Sequence, residues 1–346
     1  MSSFENKENM IRAGARSASV YELSEEKLEA LKSCLLNMAA DVVSVCERNG
    51  IRISLAGGSA LGAVRHHGFI PWDDDLDLMM PRSDYPKFCE VFQRELGKQY
   101  ELVAPNMGEK YKNRFPKVFK RGTVFRTIAF MDSDLPNEIF LDIFLLENAP
   151  RPGIVRFFKG LWCNALMYAS SRAEMYRCDN PVLRSHMSAT EETKRSYART
   201  VLVGKLFSVI PLRTWFDWVD RAVQHKAVTG YLGLPTGRKH YFGEIFPESV
   251  FLPFAKGKFE GLELPLPADC DAYLRNLYGD YMQIPPPEKR ERRRSFILKD
   301  VRIFLNTVSR SIDLMKQGGI GADMKREETE DDLILTISIP KARQTT

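Results

Sequence analysis

The sequence predicts an α/β (α+β) fold with a helical second lobe, and three observations carry that expectation. Apolar residues step by three and four from Leu28 to Val45, and a strand-like run then ends in Gly57-Gly58-Ser59 and re-enters an extended segment with aspartates at 73, 74, 75 and 77. A second apolar run, Ile139 to Leu146, contains a single acid, Asp142. Residues 151–230 turn basic and aromatic at helical spacing. With 346 residues, 44% of them hydrophobic and 27% charged, the chain has material for a full core.

Composition narrows the function classes. The amino terminus, MSSFENKENMIRAGARS, is polar and lacks the apolar stretch of a secretory signal, so residues 1–20 are expected to be a disordered lead. No run of about 18 apolar residues predicts a membrane span. Six cysteines are scattered without CxxC or Cys/His clusters, which predicts reduced thiols in a cytoplasmic protein, with neither a zinc site nor a disulfide framework.

In chain order, Ser24 is a natural N-cap, Glu25 and Glu26 suit the positive end of a helix, and Asn49-Gly50 stops it. Ile51 to Leu55 alternates as a first strand. The glycine turn after it is either a cradle for a phosphate or a tight connection. In the aspartate segment, Asp75 and Asp77 project to one side and Leu76 and Leu78 to the other. Carboxylates about 6–7 Å apart on one strand face repel unless a cation lies between them, and an all-oxygen pair suits Mg²⁺ or Mn²⁺. A solvated acidic turn would need neither the inward leucines nor the glycines. Arg65 is either a phosphate clamp or a solvated arginine; His66 and His67 are read as hydrogen-bonded loop residues and Trp72 as packing beneath the aspartates.

Ser83 is expected to cap a helix burying Tyr85, Phe88, Val91, Phe92 and Leu96; residues 100–104 and 124–130 read as strands. In Ile139–Leu146, Asp142 falls beside Phe140 and Phe144, where a bare carboxylate would cost several kcal/mol. A metal shared with Asp75 and Asp77, or an internal arginine, would remove that cost. Residues 151–230 carry 13 Lys+Arg against 6 Asp+Glu, a net of +7 that leaves −2 for the rest of a chain whose total is +5. This lobe is either a helical core with a solvated basic face or a surface for anionic lipid headgroups. Beyond it come a hairpin turning at Gly261, a helix stopped near Gly279, a loop stiffened by Pro285, Pro286 and Pro287, a helix from Asp300 to Gln317, a charged linker from Lys325 to Asp332 and a candidate edge strand, Leu333–Ile339. The expected division is 1–20, 21–150, 151–230, 231–317 and 318–346.

The stretch GGSALGAVRHHGFIPWDDDLDLMMPRSDY resembles the signature of the LicD family of phosphotransferases, relatives of fukutin and the fukutin-related protein. The resemblance spans about residues 25–295 and takes in Asn113 to Val118, Tyr241-Phe242-Gly243, Phe259 to Pro265, Tyr278 to Met282 and Pro285 to Arg290. It implies a nucleotidyltransferase (DNA polymerase β-like) mixed-sheet core. It also implies catalysis and Mg²⁺ (or Mn²⁺) binding by Asp75, Asp77 and Asp142, with Gly57, Gly58, Ser59, Arg65, Lys117 and Arg290 at the phosphates of a CDP-linked alcohol donor. The acceptor would be a hydroxyl of a cell-surface glycan or its lipid-linked precursor. Peripheral contact with anionic membrane is expected, nucleic acid is not. Arg292, Arg293 and Arg294 stand where family members carry a histidine. Tyr241, Phe242, Phe246, Tyr278 and Tyr281, with Glu244 and Asp280, suit a quaternary ammonium or are simply core. The reading is therefore phosphocholine transfer, with ribitol or glycerol phosphate, nucleotidylation releasing pyrophosphate, and an inactive glycan- or membrane-binding module as alternatives.

Overall fold

The computed structural model describes residues 24–104, 113–125, 135–188, 190–286 and 290, and the strands at 20–21, 297–298, 323–328 and 333–338. Helix α1, Glu25–Arg48, starts where the Ser24 hydroxyl accepts from the Lys27 N–H and ends at Asn49. Its Leu31, Leu35, Met38 and Val42 enter the main core. Strand β1 is only Ser54–Leu55, shorter than the expected Ile51–Leu55, because the Arg52 N–H leaves the ladder for the Asp84 carboxylate (2.9 Å). The glycine turn is itself the first turn of helix α2, Gly57–His66, with Ser59 and Ala60 N–H groups donating to the Ala56 carbonyl.

Strand β2, Asp77–Pro81, leads to helix α3, Tyr85–Glu95. That helix begins after Asp84 rather than on a Ser83 cap, since both side chains are engaged by Arg52. Strands β3 (Tyr100–Val103), β4 (Lys117–Lys120) and β5 (Phe140–Asn148) complete the first five strands of a mixed sheet in the order β1-β2-β5-β4-β3. Only β2 and β5 run parallel, and their register places Asp77 beside Asp142. On the other flank of β5, Lys117 of antiparallel β4 is the partner of Asp142.

Four helices follow: α4 (Ile154–Arg177), α5 (Pro181–Met187), α6 (Glu191–Phe207) and α7 (Leu212–Val223). The basic tract is broken between α6 and α7, where Pro211 stands. Arg82, after β2, fastens this lobe to the sheet by donating to Glu147 on β5 and Asp220 on α7, each at 2.7 Å. Strands β6 (Tyr231–Gly233) and β7 (Ile245–Pro247) extend the sheet to seven strands. The chain then returns as the hairpin β8 (Ala255–Phe259) and β9 (Leu262–Leu266), turning through Glu260 and Gly261 at positive φ, and as helix α8 (Cys270–Tyr278), stopped by Gly279. Tyr273, Leu274 and Leu277 of α8 belong to the same core as α1 and the sheet.

Near the carboxyl terminus, Leu333–Ser338 (β11) pairs antiparallel with Asp323–Glu328 (β10) rather than lying on the edge of the main sheet, and part of the expected linker is thereby strand. The expected lead at 1–19, residues 126–130 of the second expected strand, the 300–317 helix and Arg292 to Arg294 lie outside the described residues.

Candidate active site

A cleft of about 850 Å³ opens between the β1–α2–β2 unit and the returning tract. One wall carries Gly57, Gly58, Asp73, Asp75 and Asp77. The facing wall carries Arg238, Glu244, Tyr273, Tyr278, Asp280 and Tyr281.

The acidic wall follows from local sequence. Leu76 and Leu78 are buried, so alternation turns Asp75 and Asp77 to the cleft, although the strand begins only at Asp77. Gly57 sits at φ +47°, a backbone conformation that a side chain strains. A Cβ on Gly58 would lie 3.2 Å from an Asp73 carboxylate oxygen, so the missing side chain is what lets the helix start approach the acids. Ser59 stands outside the cleft lining: its hydroxyl accepts from the Asp77 N–H at 2.8 Å and fixes the acid's backbone.

The returning tract closes the cleft through bonds that span the chain. The Gly57 N–H donates to the Tyr273 hydroxyl at 3.1 Å, and the Arg65 guanidinium donates to the Tyr281 carbonyl at 2.6 Å. Arg65 lines the cleft but acts here as a latch, and its guanidinium also lies 6.0 Å from the Trp72 ring centre. Arg290 covers Trp72 more closely, at 4.4 Å. Trp72 is thus flanked by two cations and lines the cleft itself.

Two predicted site residues are elsewhere. Lys117 and Asp142 form an ion pair, each side chain 1% exposed, and neither lines the cleft. The Lys117 ammonium lies 4.1 Å from the Phe140 ring centre and 5.0 Å from that of Phe115. The cation beside Asp142 is therefore a lysine of the next strand, where an internal arginine or a metal was the sequence expectation. Among the described residues, no group of three or more His, Cys, Asp and Glu side chains is placed to hold a metal.

Arg238, to which no role was assigned from sequence, has its guanidinium 5.3 Å from the Tyr278 ring centre. Glu244 is buried, with its carboxylate accepting from the Lys239 N–H at 2.6 Å. Burial pushes its pKa up to about 7, with that hydrogen bond and the Arg238 charge pulling the other way. Burial likewise raises the Tyr278 phenol, opposed by Arg238 and reinforced by Asp77 and Asp73. Of the ring residues read from sequence, Tyr278 and Tyr281 line the cleft, whereas Tyr241, Phe242 and Phe246 do not. Gly237 packs directly against Glu244, where a Cβ would meet its carboxylate at 2.7 Å.

Comparison with known proteins fits this geometry. Residues 50–151 match the LicD/FKTN/FKRP nucleotidyltransferase domain, and residues 296–338 match the nucleoid occlusion protein C-terminal domain. The chain is 28% identical over 259 residues, 73% of its length, to the lipopolysaccharide cholinephosphotransferase LicD of Haemophilus influenzae, 90% of which is covered. It is 33% identical over 73 residues, 21% of this chain and 25% of the relative, to the nucleoid occlusion protein of Listeria monocytogenes. The segment containing the glycine-started helix, the Asp75-Leu76-Asp77 wall and strand β5 is the part that matches the LicD/FKTN/FKRP nucleotidyltransferase domain.

Proposed function

We propose that the protein is a phosphotransferase that moves a phosphocholine group from a CDP-linked donor to a hydroxyl of a cell-surface glycan or its lipid-linked precursor. The observation that carries this reading is one cleft with an acid wall at a helix start and a ring-and-carboxylate wall opposite. Similarity to a lipopolysaccharide cholinephosphotransferase supports it.

The donor set fits a hard dication on a reduced set of ligands. Asp75 and Asp77 face the cleft together, and Mg²⁺ or Mn²⁺ usually takes one or two carboxylates plus phosphate oxygens. Bound there, the ion would offset the charge of the donor phosphates. The start of α2 adds its partial positive charge on the same side, and Arg238 brings a full one from the facing wall. Tyr278 offers a ring face and Glu244 a buried carboxylate to the trimethylammonium group, each suited to a cation that cannot donate hydrogen bonds. Asp142 is the sequence expectation for the acceptor's proton; with its carboxylate held by Lys117, that role passes in this proposal to Asp73, the third carboxylate of the wall. Positioning and fixed charge then supply most of the rate enhancement.

Polyol phosphate transfer is the second reading, favoured by Thr236, Asp280 and Gln283 in the lining, which could bond several hydroxyls. The test is a donor screen with the full chain, following CMP and pyrophosphate from CDP-choline, CDP-ribitol and CDP-glycerol with a glycan acceptor. CMP released fastest from CDP-choline is the expected result. Preference for CDP-ribitol would move the assignment to polyol phosphate, and pyrophosphate as product would replace it with nucleotidyl transfer.

A further inference from the structure

The first half of α4 is built inside out. Ile154, Val155, Phe157, Phe158, Leu161 and Trp162 are all exposed, Ile154 by 72% and Phe158 and Trp162 by 61% each. At about 100° per residue they fall on one contiguous arc of the helix. The two cations of the same stretch point inward. Lys159 donates to the Ala222 and Gln224 carbonyls at 2.6 and 2.8 Å, and Arg156 donates to the Pro150 carbonyl at 2.6 Å with its guanidinium 4.5 Å from the Tyr231 ring centre. Phe242, 45% exposed, continues the arc through its contact with Phe157, ring centres 6.3 Å apart. Soluble monomers rarely leave an apolar patch of this kind uncovered.

The charge around the arc says what covers it. Within residues 151–230, ten lysines and arginines are exposed, against two acids, Glu191 and Glu192. The acids Glu174 and Asp220 are turned inward, onto Arg114 and Arg82. Arg151 stands exposed at the start of the arc, and the exposed Lys226 and Val228 immediately precede Thr229, whose hydroxyl donates to the Ala149 carbonyl two residues before Arg151. A second copy of the chain would set this basic lobe against itself. A surface that is apolar beneath and anionic at its rim accepts both features at once.

We infer that the arc Ile154–Trp162, rimmed by Arg151 and Lys226, docks the protein on an anionic bilayer, with Phe158 and Trp162 entering the acyl boundary. This inference does not depend on the donor assigned above. It is tested by sedimenting the full chain with vesicles of phosphatidylcholine alone and of phosphatidylcholine with roughly a third phosphatidylglycerol. Binding is expected only to the anionic vesicles, weakening with salt, and Phe158→Glu with Trp162→Glu should lower partitioning at least tenfold, about 1.4 kcal/mol or more. Both side chains face solvent, so the variant should unfold where the parent does. Lipids brominated in the acyl chain should quench part of the unsubstituted chain's tryptophan fluorescence, and Trp162→Phe should abolish that part. Failure to bind either vesicle overturns the inference, as does undiminished binding by the double variant or quenching that survives Trp162→Phe. A parent dimer that the double variant splits, without vesicle binding, would make the arc an interface between copies instead.

Discussion

Replacing Asp142 with asparagine separates two roles, ion-pair partner and metal ligand, that a buried acid near the acidic cleft can have. Its carboxylate and the Lys117 ammonium are each 1% exposed, and the phenylalanine rings at 140 and 115 take the place of water around the ammonium. Asp142→Asn leaves that ammonium facing a neutral amide, and removing one member of a buried pair costs about 3–5 kcal/mol. With an m-value of about 3 kcal/mol/M, the urea midpoint should fall by roughly 1–1.7 M. Lys117→Met should cost a similar amount. The double variant Lys117→Met/Asp142→Leu removes both desolvated charges and should recover most of the loss, since apolar replacements of buried pairs are often neutral. Equilibrium urea unfolding followed by fluorescence and circular dichroism measures all three. An Asp142→Asn protein as stable as the parent but inactive would refute the ion-pair account and return Asp142 to the metal site.

Two further outcomes follow from the cleft. Asp75→Asn and Asp77→Asn should each abolish donor turnover while shifting stability by no more than about 1 kcal/mol, because both side chains are partly exposed and their mutual repulsion is relieved; wild-type turnover in EDTA would sink the metal role. Glu244 keeps its proton up to a pKa of about 7 in the folded chain, against an ordinary value of 4.5. The native state therefore binds more protons than the unfolded one between those values, and this contribution is lost as pH rises through about 7. Between pH 5 and pH 8 the parent should lose on the order of 3 kcal/mol more unfolding free energy than Glu244→Gln, and choline affinity should rise over the same range only in the parent; parallel stability curves for the two proteins would remove Glu244 from the cation site.

What could be read from the sequence was local. The stripe on α1, the inward Leu76 and Leu78, the turn at Gly261 and the stop at Gly279 all depend on neighbours within a few residues, where periodicity and glycine chemistry decide the outcome. The site's relationships depend on register and distant closure. Lys117 reads as a phosphate contact, and only the register of antiparallel β4 sets it opposite Asp142, 25 residues on. Arg65 reads as a phosphate clamp or a solvated arginine, and its bond to the Tyr281 carbonyl becomes visible only when the distant tract arrives beside it. Ser59 reads as part of a phosphate cradle; that its hydroxyl also accepts from the Asp77 N–H, 18 residues on, was not legible. Nothing in local composition distinguishes the buried Glu244 from an exposed glutamate.

The latch between Arg65 and Tyr281 joins residues 216 positions apart. During synthesis at about 5–20 residues per second, roughly 10–40 s separate the emergence of its two halves. Over that interval the nascent chain holds its aspartate wall without the opposite wall, and the core faces awaiting Tyr273, Leu274 and Leu277 stay uncovered. Closure of the cleft is thus timed by connectivity: its second wall forms only when nearly all of the cleft-forming chain has left the ribosome, and a polypeptide released before α8 would have an open cleft and a sticky, uncovered core.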